Sequence, residues 1–149
     1  MSTKLEQLQS GEEDVAICDD NPSHLMLLNR KLTKKLLISN TSIHGFENPD
    51  ELMEAVRSNP KILNIICDLK MGAGFKNGFQ VFEELMKIGY KGIFIIHSDT
   101  DPDRIEQMKI EFLSEPNLSK KIPIVDKNHL AEIEGCQIKK ILESTQANT

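Results

Sequence analysis

Five times along this chain of 149 residues, a short apolar run stops at a polar residue and gives way to a longer amphipathic stretch. The runs fall at residues 15–18, 42–46, 62–67, 93–96 and 122–125. Each is too short for a helix and four are apolar almost throughout, so each predicts a strand, the one at 42–46 weaker and nearer an edge. Between them, apolar residues recur at helical spacing, as Leu25, Leu28, Leu32 and Leu36 do. Asn21-Pro22 and Asp101-Pro102 each place a capping side chain before a proline, the signature of a helix start. The stretch from Pro49 to Ser58, one after Gly78 closed by Gly89, one ending near Leu113 and one spanning 128–142 complete five predicted helices. In the last of these Leu130, Ile133, Ile138 and Ile141 are the expected core contacts. Strands separated by helices want a parallel sheet with both faces covered.

The polar residues 1–13 are expected to form a leader outside the core, in part helical, followed by one domain over 14–144 and a short tail over 145–149. Hydrophobic residues at 39% and charged residues at 28% suit a globular domain with a single core. The net charge of −5, with no long basic run, argues against a nucleic-acid-binding surface. Three cysteines without CxxC spacing, two of them inside apolar runs, predict free thiols in a reducing compartment. With no signal peptide and no apolar run near 18 residues, the expected location is the cytoplasm, away from membranes.

The ends of the runs carry the chemistry. Asp19 and Asp20 follow the first, Asp68 the third, Ser98 the fourth, and Asp126-Lys127 the fifth. Open α/β sheets bind ligands outside the carboxyl ends of their strands, where the strand order reverses. In a 2-1-3-4-5 sheet the first and third strands are neighbours about 4.8 Å apart, so their terminal carboxylates converge. Three close carboxylates repel one another, and a hard divalent cation relieves the conflict. That points to Mg2+ at Asp19, Asp20 and Asp68, and to Asp68 as a nucleophile for a phosphoryl group. Lys127 would counter the added charge, with Lys121 a weaker candidate, and the Ser98 hydroxyl would bond a phosphoryl oxygen. Single residues of this kind are commonly turn, cap or solvated groups, but five at successive strand ends are not. His97 reads as a structural or gating residue, and the Gly72/Gly74/Gly78 loop lacks the spacing of a phosphate-binding P-loop.

At these residues the sequence resembles the receiver domain of bacterial two-component response regulators. "VAICDDNPSHLMLLNRKL" is similar to the family's acidic pair and first helix, and "NIICDLKM" to its phosphoacceptor strand. "IFIIHSD" supplies the hydroxyl residue and "IPIVDKN" the lysine, so the resemblance spans nearly the whole chain. It implies a flavodoxin-like, doubly wound α/β fold with five parallel strands in order 2-1-3-4-5 and five helices. It implies a stand-alone signalling protein of the chemotaxis-regulator kind, a phosphoacceptor and not an enzyme. Asp68 would take the phosphoryl group from a histidine kinase or histidine phosphotransfer protein. Asp19, Asp20 and the backbone carbonyl of Lys70 would bind Mg2+, and Ser98 and Lys127 would sense the phosphoryl group. The signal would pass to a downstream target protein through the surface of helix four, strand five and helix five. The sequence departs from the family at Gly72 and Asn128, where proline is common, at Asp99, where a small residue is preferred, and at Ile124, often aromatic. Two other readings remain at this level. One is a degenerate receiver that binds partners without phosphorylation; the other is a small phosphatase with an aspartyl nucleophile, disfavoured because Lys70 stands where its acid/base carboxylate belongs.

Overall fold

The computed structural model describes residues 3–114, 122–126 and 137–146. Its elements run α1 (Lys4–Ser10), β1 (Asp14–Cys18), α2 (Pro22–Lys34), β2 (Ile43–Phe46), α3 (Pro49–Ser58) and β3 (Ile62–Asp68). They continue with α4 (Gly78–Lys87), β4 (Ile93–Ser98), α5 (Pro102–Phe112), β5 (Ile124–Asp126) and α6 (Gln137–Gln146). The strands form one sheet in the order β2-β1-β3-β4-β5, every pairing parallel, as the sequence predicts.

Alternation along the strands divides the core into two layers. Ala16, Cys18, Ile65, Cys67, Phe94 and Ile96 face α3, α4 and α5, where they meet Leu52, Phe79, Phe82, Leu85 and Met108. Val15, Ile17, Ile66, Ile95 and Val125 face the other way, onto Leu8, Leu28, Leu32, Ile138 and Leu142 of α1, α2 and α6. Successive side chains of a strand point to opposite faces, so these central runs are apolar throughout because both faces are covered.

The helix starts follow the predicted chemistry. Asn21 accepts a hydrogen bond from the Ser23 amide, Asn48 from Glu51 and Asp101 from Asp103, each just before a proline. Each fixes the direction in which its helix leaves the carboxyl end of a strand.

Two expectations need correction. Six helices, not five, lie among the described residues, and the extra one arises within the segment expected to lie outside the core. Thr3 and Glu6 form a reciprocal capping box, Gly11 closes α1 in the left-handed region, and Leu8 is fully buried against α2 and α6. One leucine per turn in a polar heptapeptide is enough to seat it. The fifth strand starts at Ile124, not Ile122, since proline has no amide to donate to a ladder. Pro123 still contributes its carbonyl, which accepts from the Ile96 amide at 2.9 Å. The first part of the last predicted helix, with Leu130 and Ile133, lies outside the described residues. Its remainder continues to Gln146 and buries Ile138 and Leu142.

Candidate metal and phosphoacceptor site

The carboxyl ends of β1 and β3 set the site. Cys18 pairs with Cys67 across these neighbouring strands, so the next residues, Asp19 and Asp68, emerge side by side. Asp19 is 5% exposed and Asp68 8%, whereas Asp20 stands in solvent. One carboxylate oxygen from each of the three lies within 4.8 Å of the other two. Oxygens sharing one octahedral magnesium ion sit about 3.0 Å apart when adjacent and about 4.2 Å when opposite, so the three carboxylates would draw together around a bound ion.

Two backbone features shape the pocket. Asp19 Oδ1 accepts from the Asn21 amide at 2.9 Å, which ties the carboxylate to the helix start. Gly72, in the left-handed region at φ +85°, comes so close that a Cβ there would lie 3.3 Å from Asp20 Oδ2. The loop carrying Gly72 returns to α4 at Gly78, whose amide donates to the Leu69 carbonyl at 2.8 Å. A Cβ at Gly78 would lie 3.0 Å from the Asp68 carbonyl oxygen, so a glycine there lets the start of α4 pack tightly against the end of β3. An all-oxygen set of two to three carboxylates on such a cradle suits a hard cation.

The negative charge is felt within the sheet. The Cys67 thiol is pushed well above its ordinary value, first by burial, then by its contact with Cys18 and by the charges of Asp68 and Asp19. Neither Cys18 nor Cys67 is in a disulfide, in keeping with the expectation of free thiols; Cys136 lies outside the described residues.

The other predicted residues divide. Ser98 ends β4, is 3% exposed, and accepts from the Thr100 amide at 3.0 Å, leaving its hydroxyl proton to donate elsewhere. Lys70 follows Asp68 by two residues and is exposed. Ser98 pairs with Asp126 on β5, and Lys127, like Lys121 and Asn128, lies outside the described residues. His97 pairs with Asp68 across β3 and β4 and is 3% exposed. Asp99 is exposed and lines, with Ser98, Ile105, Ile124 and Asp126, a groove of about 380 Å³ between α5 and β5. His24 was missed in the sequence. Its Nδ1 lies 3.3 Å from Asp19 Oδ2, and only the phase of α2 brings it there.

Solved structures share this arrangement of strands and helices. The isolated REC domain of RcsB from Salmonella enterica serovar Typhimurium, determined in the presence of the phosphomimetic BeF3-, superposes with a TM-score of 0.60. It is 18% identical, over 85% of this chain and 88% of its own. A response regulator receiver protein from Sinorhizobium medicae WSM419 gives a TM-score of 0.64 at 14% identity, over 89% of this chain and 96% of that one. The fold is that of response-regulator receiver domains. A sensor protein from Polaromonas sp. JS666 matches at a TM-score of 0.63 and 18% identity, over 91% of this chain and 97% of its own. No family model and no curated protein matches the sequence. At these identities the likeness to receivers is one of fold. No helix among the described residues is long and apolar enough to cross a membrane.

Proposed function

We propose that this chain, through residues 14–144, is a response-regulator receiver that accepts a phosphoryl group on Asp68. The observation that carries the proposal is the convergence of the Asp19, Asp20 and Asp68 carboxylates within 4.8 Å at the carboxyl ends of adjacent strands. Held by these three residues and the backbone carbonyl of Lys70, magnesium would supply positive charge against the phosphoryl oxygens during transfer. An Asp68 oxygen attacks phosphorus in line, the bond from phosphorus to the donor's histidine nitrogen breaks, and that nitrogen keeps the electron pair. The product is an acyl phosphate on Asp68. The Ser98 hydroxyl donates to one phosphoryl oxygen, and the Lys127 ammonium pairs with another.

The donor is a histidine kinase or histidine phosphotransfer protein in the cytoplasm, and the phosphorylated form acts by contact with a downstream target protein. The chain is then a phosphoacceptor that assists only its own phosphorylation and dephosphorylation. Replacing Asp68 by Asn tests the proposal, since an amide cannot form the acyl phosphate. Hydroxylamine-sensitive labelling by a phosphodonor should vanish in Asp68→Asn while the circular dichroism spectrum is unchanged. Undiminished labelling of that variant would refute it.

A further inference from the structure

We propose that His24 is a positioning residue for Asp19, a role that rests on the reading of Asp19 as a cation ligand given above. Asp19 faces a conflict. It is 5% exposed, and its carboxylate shares a space of less than 5 Å with those of Asp20 and Asp68. With no cation between them, repulsion drives such groups apart, and a carboxylate held on one side alone can rotate away.

Asp19 is held on two sides. Oδ1 accepts from the Asn21 amide at 2.9 Å, and Oδ2 lies 3.3 Å from Nδ1 of His24. His24 is placed by backbone order. Asn21 caps α2, Pro22 occupies its first turn, and the His24 amide donates to the Asn21 carbonyl at 3.0 Å. The imidazole therefore comes from the same rigid helix start that grips Oδ1, and the two contacts fix the plane of the carboxylate together. A carboxylate oxygen has two lone pairs, so Oδ2 can accept from an Nδ1–H and still face a cation. Partners of metal-binding side chains in this outer position commonly govern metal affinity by ten- to a hundredfold.

The test is magnesium binding measured by calorimetry without any phosphodonor, at about pH 8, where a free imidazole is neutral. Three proteins are compared: the parent, His24→Ala, and His24→Asn, whose amide N–H stands near the position of Nδ1. The expected result is affinity about tenfold weaker in His24→Ala, restored to within about threefold in His24→Asn. Thermal melts without magnesium should agree for all three, which separates positioning of Asp19 from damage to α2. Parental or tighter binding by His24→Ala would overturn the role of His24, while leaving Asp68 phosphorylation standing. A parent protein that binds no magnesium at millimolar concentration would overturn both readings.

Discussion

Asp99 is exposed and lines the groove beside Ser98. On the proposed function, a fourth carboxylate there would repel an anionic donor, an effect weakened by salt, and its bulk would obstruct the path of the water that hydrolyses an acyl phosphate. Asp99→Ala should therefore speed labelling by acetyl phosphate and shorten the phosphoryl lifetime, both by more than about twofold, or ~0.5 kcal/mol in barrier. Equal rates at saturating magnesium would mean that its charge does not reach the site. Gly78 makes an opposite prediction about shape. Because a Cβ there meets the Asp68 carbonyl at 3.0 Å, Gly78→Ala should lower stability by about 1–3 kcal/mol in urea unfolding. At this scale the acidic residues and Ser98 were legible because each ends an apolar run, a pattern visible without a structure. His24 was not legible, because its approach to Asp19 depends on the phase of α2 and the angle at which the helix leaves Asn21.

Among the elements, the strands and the Asn-Pro and Asp-Pro helix starts were legible for a local reason: each signal lies within four residues. The seating of the first helix in the core was not, although Thr3-x-x-Glu6 is a capping box and Leu5 and Leu8 share a face. Its stability comes from burying Leu8 against α2 and α6, elements distant in sequence. If α1 belongs to the core, Leu8→Ala should cost about 2–5 kcal/mol, whereas a loose leader would give a change near zero. The end of α2 offers a gain. Leu37, 68% exposed, takes the left-handed conformation at φ 58° between buried Leu36 and Ile38. Leu37→Gly removes that strain but adds freedom to the unfolded chain, for a net stabilisation of about 0.5 kcal/mol. At the far end of α5, Ser114 donates its amide and hydroxyl to Glu83 of α4 and holds that carboxyl below its ordinary value. The depressed value means the contact stabilises fully above the unfolded-state pKa and is lost as pH falls through the folded one.

For the whole molecule, the sheet order follows from where the carboxylates must go. Order β2-β1-β3-β4-β5 makes β1 and β3 neighbours at the switch point, and only that neighbourhood brings Asp19 and Asp20 to Asp68. The fold holds the three charges together against their repulsion, so a bound cation should return stability to the molecule. Magnesium at a hundredfold excess over its dissociation constant should stabilise the protein by about 2.7 kcal/mol. Asp20→Asn should lose most of that gain at the same concentration. Asp68 remains the centre on which every role converges. The direct measurement is to incubate the protein with magnesium and acetyl phosphate, trap any acyl phosphate by borohydride reduction, and locate the product by tandem mass spectrometry. The account predicts homoserine at position 68 and at no other aspartate; an unmodified Asp68, or reduction at another carboxylate, would contradict it.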